Sequence, residues 1–126
     1  MNENEKGYKR LNVWKEAHNL VLLVYKVTNV FPKEELFGLT SQLRRASISV
    51  PANIVEGYAR SSKNELLQFL SIARGSLAEC EYYIHLSRDL DYINDSEFAL
   101  LEDKRHTVGD LLHGFAASIK RNNILG

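Results

Sequence analysis

Phe37 begins the stretch FGLTSQLRRASISVPANIVEGYAR, which ends at Arg60 and decides the fold. Projected as a helix at about 100° per residue, the stretch has two apolar arcs on nearly opposite sides and one polar stripe between them. A helix with one apolar face lies at the surface of a bundle, whereas a helix with two is covered on both sides. We therefore expect this helix to be central, with its own bundle on one side and a further surface on the other. The first arc contains Leu39, Leu43, Ala46, Val50, Ile54 and Gly57, and the second contains Ile48, Ala52, Val55 and Ala59.

Pro51 lies in the middle of this predicted helix. A proline inside a helix removes one backbone donor and clashes with the preceding turn, at a cost of roughly 3 kcal/mol. The polar stripe nevertheless keeps its phase across the proline, which favours a single helix kinked near Pro51. Two shorter helices broken at the proline are the alternative.

Three further helices follow from apolar residues at helical spacing. Helix 1 covers about residues 12–29, and helix 3 begins where Ser62 and Glu65 have the spacing of a capping box. Helix 4 ends near Asn122. Because the connections are short and no segment alternates with a period of two, the sequence predicts an all-α protein, an antiparallel up-down-up-down four-helix bundle. Residues 1–126 form one domain in this interpretation, and residues 1–9 form a mobile tail.

The composition of the 126 residues points to the cytoplasm. Cys80 is the only cysteine, so no intramolecular disulfide can form and a reducing compartment fits. The first residues lack the apolar run of a signal peptide. The longest strongly apolar run, residues 21–25, is far shorter than the roughly 20 residues of a membrane span.

The charge is zero overall but unevenly distributed. Residues 38–63 carry four basic residues against one acidic residue, a balance of +3, whereas residues 64–97 carry two against seven, a balance of −5. Such a basic segment can neutralise phosphates, which makes its cations candidate nucleic-acid contacts. A solvated, salt-bridged face is the alternative explanation. The four candidates are Arg44, Arg45, Arg60 and Lys63.

The polar stripe of helix 2 has the same two interpretations. As a structural network it would join side chains across a helix interface, because Glu56 and Arg60 are four residues apart and the amides both donate and accept. As a functional track it would bind nucleic acid along its arginines. The stripe consists of Gln42, Arg45, Ser49, Asn53, Glu56 and Arg60.

Helix 3 repeats the double apolar pattern of helix 2. Gly75 falls on its second face. A glycine inside a helix costs up to about 1 kcal/mol relative to alanine, so we expect that it is there to let another backbone approach this face closely. A single chain cannot cover such a surface by itself. We therefore predict an oligomer interface made of Ile48, Ala52 and Val55 on helix 2 and of Ile72, Gly75, Glu79, Tyr82, Tyr83 and Leu86 on helix 3.

No catalytic or metal-binding pattern emerges. Cys80 lies on the core arc of helix 3, where a thiol is usually inert. Two acid-x-x-His pairs occur in helix 4, at Asp103 with His106 and at Asp110 with His113. Carboxylate-bridged iron sites in bundles draw such pairs from two helices, so we interpret these as residues of a polar face. The sequence predicts no enzyme, no cofactor and no metal, and it identifies no small-molecule substrate.

Several motifs in order match a known family. They are LNVWKEA at 11–17, VYKVTNVFP at 24–32, ELFGL at 35–39, QLRRASISVPANIVEG at 42–57, FLSIA at 69–73 and GSLAE at 75–79. This set resembles the bacterial four-helix-bundle family encoded in intervening sequences of 23S ribosomal RNA genes, also labelled S23 ribosomal protein. The match covers residues 11 to about 92.

The resemblance implies a homopentameric ring of antiparallel bundles. It extends in fold to the accessory variability protein of diversity-generating retroelements, a basic pentameric barrel implicated in binding nucleic acid and reverse transcriptase, although this chain is neutral. The family has no established catalytic residues to carry over. Two hypotheses follow: a non-enzymatic oligomer that binds RNA or another nucleic acid, or a structural or adaptor ring whose partner is another protein.

Overall fold

The computed structural model describes residues 5–122, and these form helices joined by short connections, without a β-strand. Four α-helices make up nearly all of the structure: α1 (Asn12–Thr28), α2 (Leu39–Tyr58), α3 (Lys63–Asp89) and α4 (Asp95–Arg121). Two 3-10 helices, Gly7–Arg10 and Lys33–Glu35, precede α1 and α2.

The helices pack as a closed square. The α2 helix contacts α1 and α3, and α4 contacts the same two helices from the other side. The most extensive contact is between α2 and α3. Connections of this length make sequential helices antiparallel neighbours. The predicted all-α four-helix bundle is confirmed.

The core is built from one face of each helix. The first arc of α2 is confirmed as a core face, because Leu43, Ala46, Val50 and Ile54 have no exposed surface. The other helices contribute fully buried side chains at the same helical spacing. These are Ala17, Leu20 and Val24 of α1, Ala73, Cys80 and Ile84 of α3, and Leu101 and Val108 of α4.

The α2 helix continues without interruption through Pro51, so the alternative of two shorter helices is wrong. The proline ring is buried and therefore contributes to packing even though its missing N–H leaves one helical hydrogen bond unmade. In the preceding turn the hydroxyl of Ser47 donates to the Arg44 carbonyl at 2.9 Å. The kink itself stays a prediction.

Side-chain caps define where the second half of the bundle begins. The hydroxyl of Ser62 accepts a hydrogen bond from the Glu65 backbone N–H at 3.2 Å, which confirms the predicted start of α3. At the start of α4, Asn94 and Glu97 form a complete capping box, with distances of 2.7 and 2.9 Å. Both caps satisfy backbone donors that a helix N-terminus leaves unpaired.

The Glu35 carboxylate connects two loops at one end of the bundle. Glu35 accepts from the backbone N–H of Leu39 at 3.1 Å through one oxygen and from the Tyr92 hydroxyl at 2.9 Å through the other. The hydrogen bond to Glu35 raises the pKa of Tyr92. One carboxylate thus joins the start of α2 to the loop between α3 and α4.

The segment before α1 makes contacts with that helix. Tyr8 packs edge-on against Trp14 with ring centroids 5.1 Å apart, and the Lys15 ammonium lies 2.7 Å from the Glu5 carboxylate. The mobility predicted for residues 1–9, of which 1–4 lie outside the described residues, stays a prediction.

Candidate subunit and nucleic-acid interface

The second apolar arcs of α2 and α3 both lie on the outside of the bundle, on the two helices that contact each other most extensively. We call Ile48, Ala52, Ile72, Gly75 and Tyr82 the outer apolar face. All five are exposed, with 41% of Ile48, 53% of Ile72 and 62% of Tyr82 accessible to solvent. A single chain therefore leaves this surface uncovered.

Three of the apolar residues predicted for the interface are less available. Val55, Tyr83 and Leu86 are half-buried, and the last two pack against the core of their own chain. Helical spacing alone could not show that these residues are less exposed than Tyr82. They lie at the border between two faces of the helix, where the packing of the neighbouring helix determines how much of a side chain is buried. Glu79, the polar member of the predicted interface, is exposed at the edge of the outer apolar face.

Two glycines distinguish an internal contact from an open surface. At Gly57 a Cβ atom would lie only 2.8 Å from the Phe69 Cβ and 3.0 Å from a Leu66 methyl group, so α2 and α3 approach closely there. At Gly75 a Cβ atom would meet nothing within 4 Å. The close approach predicted at Gly75 is therefore absent within one chain as far as the described residues extend.

The polar stripe of α2 divides into local groups that connect to α3. The Arg45 guanidinium donates to Gln42 at 3.1 Å and to Glu79 at 3.1 Å. Further along, the hydroxyl of Ser76 donates to Ser49 at 2.8 Å, and Asn53 donates to the same serine oxygen at 3.0 Å. These contacts place the middle of the stripe in an α2–α3 network.

The last part of the stripe is a separate exposed group. Arg60 lies 3.1 Å from Glu56 and 3.9 Å from Glu65, and its guanidinium stacks over the Phe69 ring at 4.9 Å. Both of its ion pairs are largely solvated, with 41% of the Arg60 side chain accessible. Pairs of this kind contribute at most about 1 kcal/mol.

Arg44 and Lys63 are the other two basic candidates. We call the four residues Arg44, Arg45, Arg60 and Lys63 the basic face. The Arg44 guanidinium donates to Thr28 at 2.9 Å and lies 4.6 Å from the centre of the Tyr25 ring. Within residues 5–122 it forms no ion pair with a carboxylate. Lys63 is half-buried at the first turn of α3 and makes its own contacts.

Folding changes the charge around the basic face. Glu65 and Glu79 of α3 reach Arg60 and Arg45, and Glu56 comes from α2 itself. Four basic residues against these three carboxylates leave a local balance of +1, compared with +3 along residues 38–63. The two surfaces also meet, because Glu79 borders the outer apolar face and binds Arg45 of the basic face.

The acid-x-x-His pairs of α4 do not form a site. The side chains of Asp103, His106, Asp110 and His113 are all exposed, which agrees with the polar-face interpretation. The shortest contact among them, 3.9 Å, joins His106 to Asp110. Cys80 is fully buried, and this burial raises the pKa of its thiol to about 12, so it is protonated at neutral pH and not an activated nucleophile.

One cluster of potential metal ligands was not predicted from the sequence. Glu81 and His85 of α3 and Glu102 of α4 bring their ligand atoms within 4.8 Å of one another. Arg105 lies among them, 2.5 Å from Glu102 and 3.3 Å from Glu81. Because this guanidinium already neutralises both carboxylates, the cluster fits an ion-pair network between α3 and α4 better than a cation site.

Glu102 is the centre of this network. Burial favours its neutral form, but hydrogen bonds from Arg105 and His85 outweigh burial and lower the pKa of the carboxyl. The same hydrogen bond raises the pKa of Arg105. The helical spacing of Glu81 and His85 was visible in the sequence, whereas the partner on α4 became visible only in the fold.

Fold and surface together define a class of protein: a small four-helix bundle with an uncovered apolar face and an ion-paired basic strip. The chain belongs to the family of the 23S rRNA-intervening sequence protein, whose pattern matches residues 9–114.

A solved structure of the same architecture supports the fold. It is a protein of unknown function from the S23 ribosomal protein family of Bacteroides thetaiotaomicron, 22% identical, with a TM-score of 0.74 over 82% of this chain and 97% of that one. Among curated proteins, none matches this chain. None of the described helices is both long and apolar enough to cross a lipid bilayer.

Proposed function

We propose that this chain is a non-enzymatic, cytoplasmic bundle that assembles with copies of itself through the outer apolar face and binds RNA through the basic face. The family resemblance supports a pentamer as the form of this assembly. The observation that carries the proposal is the exposure of Ile48, Ile72 and Tyr82 on two adjacent helices whose core faces are already buried.

The outer apolar face can form the centre of an interface between proteins. From Ile72 to Tyr82 it extends about 15 Å along α3, and two helices about 10 Å wide side by side offer of the order of 300 Å² there. Each partner in a standard protein interface covers about 800 Å², so the surrounding polar residues would form the rim. Gly75 and Ala52 add no side-chain bulk, so a neighbouring helix can approach closely there. An exposed apolar patch of a few hundred Å² on a soluble protein is often functional.

Assembly would strengthen a weak basic face. One chain offers a local balance of only +1, but a ring repeats Arg44 and its neighbours around an axis, which multiplies the phosphate contacts. The ion pairs of Arg45 and Arg60 are exposed and weak, so phosphate oxygens can replace the carboxylates. Arg44, which has no carboxylate partner among residues 5–122, is the strongest single candidate for a phosphate contact.

Sedimentation velocity tests the assembly. Ile72→Glu places a charge in the outer apolar face, whereas Leu100→Glu makes the same change on α4 at a position with the same exposure, 53%. We expect the wild type and L100E to sediment as the same oligomer at micromolar concentration and I72E to sediment as a folded monomer. A monomeric wild type, or an I72E variant that still assembles, would refute this interface.

Fluorescence anisotropy with a labelled single-stranded RNA tests the basic face. Arg45→Gln with Arg60→Gln removes two charges from it, and Lys104→Gln with Arg121→Gln removes two charges from α4, which within residues 5–122 does not contact α2. We expect weaker binding only in the first variant, with the slope of log affinity against log salt reduced by about 1.4. Sedimentation of both variants checks that assembly is unchanged. Absent or salt-independent binding by the wild type would count against RNA as the ligand.

An adaptor ring that binds another protein is the second candidate. It is favoured by the contacts of Arg45 with Gln42 and Glu79, because a cation that holds two helices together is less available to phosphate. In that case Arg45→Ala or Glu56→Ala should disrupt assembly in sedimentation experiments. RNA should then show no retardation in a native gel at modest salt.

A further inference from the structure

A pocket of about 290 Å³ lies between the first half of α3 and the second half of α4, and it shares no lining residue with the outer apolar face or the basic face. Its α3 residues and its α4 residues follow one another at helical spacing, so the two helices line it with facing stripes. The lining consists of Leu67, Leu70, Ser71 and Arg74 of α3 and of Leu112, His113, Ala116, Ala117 and Lys120 of α4.

Three nitrogen-bearing side chains converge at this pocket without a carboxylate among its lining residues. They are Arg74, His113 and Lys120. Within residues 5–122 none of the three forms an ion pair or a hydrogen bond through its side chain. On α4 the nearest acidic residue in sequence, Asp110, contacts His106 instead. The cations of the basic face, in contrast, all have partners in the fold.

The sequence explains why Arg74 and Lys120 stay unpaired among residues 5–122. The residues three and four positions from Arg74 on α3 are uncharged, so no carboxylate on its own helix can reach it. These neighbours are Leu70, Ser71, Leu77 and Ala78. The positions three and four residues before Lys120 are Ala117 and Ala116. The pocket therefore keeps a positive potential in a chain with no overall charge.

The floor of the pocket is apolar. Leu70 and Leu112 are 4% and 2% exposed and belong to the core, and Leu67 and Ala116 pack against them. Ser71 adds one hydroxyl group that can donate or accept. A ligand here would place a ring on the aliphatic floor and an anionic group against the nitrogens.

We infer that this pocket binds an organic phosphate of the size of a nucleoside monophosphate. Its volume is at the lower end of the range for small-ligand sites, which suits one nucleotide unit. The planar Arg74 guanidinium matches a phosphate with two parallel hydrogen bonds, and Lys120 adds a compact charge. His113 supplies a further ring nitrogen. The nucleotide unit can come from a free nucleotide or from the phosphorylated end of an RNA.

Isothermal titration calorimetry with adenosine monophosphate tests the pocket. Arg74→Gln with Lys120→Gln removes its two permanent charges, and Lys26→Gln with Lys33→Gln is the control with the same change of charge at the opposite end of the bundle. We expect saturable binding at one site per chain in the wild type and the control, weakened at least about tenfold in R74Q/K120Q. The inference is overturned if the wild type does not bind or if the two double variants bind equally.

Chemical-shift mapping locates the ligand independently of any variant. We expect adenosine monophosphate to move the amide signals of residues around Ser71 and Ala117. Signals moving on α2 instead would overturn the assignment, as would equal affinity for inorganic phosphate or for unphosphorylated adenosine. Displacement of the nucleotide by a 5′-phosphorylated oligonucleotide, but not by its dephosphorylated form, would identify the end of an RNA as a source. Failure to displace it would identify the free nucleotide, and both results uphold the pocket.

Discussion

Glu102 is the single residue whose ionisation matters most to the contact between α3 and α4. Only 18% of its side chain is exposed, and it accepts from Arg105 at 2.5 Å and contacts His85 at 2.8 Å. Its carboxylate is thus stabilised in the folded state by partners that the unfolded chain lacks. Because the pKa is lowered on folding, protonation of this group opposes folding.

The stability of the protein should therefore decrease in acid through Glu102. The contribution of ionised Glu102 to folding stability is complete above the ordinary carboxyl pKa of about 4.3. It is lost as the pH falls below that value and through the lower pKa of the folded state. At pH 7 we expect Glu102→Gln to reduce the free energy of unfolding by about 1–3 kcal/mol, since it weakens a charged hydrogen bond. Urea unfolding at pH 7 and pH 3 measures both quantities.

The difference between E102Q and the wild type should shrink at pH 3, because the unfolded chain already binds a proton at Glu102 below the ordinary carboxyl pKa of about 4.3. Glu34→Gln is a suitable control because Glu34 is exposed on the short 3-10 helix before α2. A difference that is as large at pH 3 as at pH 7 would contradict the assignment.

At the scale of elements, the α2–α3 pair is the central contact of the fold. Gly57 permits it near the end of α2, where Phe69 and Leu66 of α3 leave no room for a side chain. Farther along, Ser49 and Ser76 connect the same helices by a hydrogen bond of 2.8 Å. A small residue at one end and a polar link in the middle together determine how closely the two helices lie.

Gly57→Ala should destabilise the protein, although alanine is the better helix former. The added methyl group would lie 2.8 Å from the Phe69 Cβ, so the helices must separate, which typically costs about 1–3 kcal/mol. Gly75→Ala is the matched change on an open surface. It should raise the stability of one chain by up to about 1 kcal/mol.

Urea unfolding of the two glycine variants provides the measurement, carried out at a concentration where sedimentation shows single chains. At concentrations that favour assembly, G75A should instead weaken the oligomer if a neighbouring helix approaches there. Equal stability of G57A and the wild type would show that α2 and α3 can move apart at Gly57 at little cost, which would contradict the prediction.

At the scale of the whole molecule, the bundle has more apolar surface than one chain can bury. The core faces of all four helices are used internally, yet Ile72 and Tyr82 remain more than half exposed. In the proposed assembly, contact with another copy would cover these side chains and stabilise the folded chain. A partner that binds only the folded state stabilises that state, and here the partner is another copy of the chain. The stability of the protein should therefore increase with protein concentration.

The melting temperature of the wild type should rise with protein concentration. For a pentamer, each tenfold increase adds about 1 kcal/mol per chain, which corresponds to a few degrees for a domain of this size. Differential scanning calorimetry from micromolar to millimolar protein measures the shift. Ile72→Glu should melt at a temperature independent of concentration, and a constant melting temperature for the wild type would speak against assembly.

Local patterns predicted the elements of this molecule well. The first arc of α2 is buried residue by residue, and Ser62 caps α3 at the expected position. Helical periodicity and caps depend on residues three or four apart, so they can be recognised along a single chain. The half-burial of Tyr83 and Leu86 was not visible, because the neighbouring helices determine how far a border residue is covered.

The sequence by itself determined the four helices, their core faces and the surplus apolar surface, because these follow from spacing along one helix. Only the tertiary structure decided the electrostatics: it brought Glu79 to Arg45 across 34 positions and Glu102 to His85 across 17, and among residues 5–122 it left Arg74 and Lys120 unpaired beside the same pocket. The physical reason is that a charge is neutralised by whatever lies within a few ångströms, and those distances are established only when the helices pack.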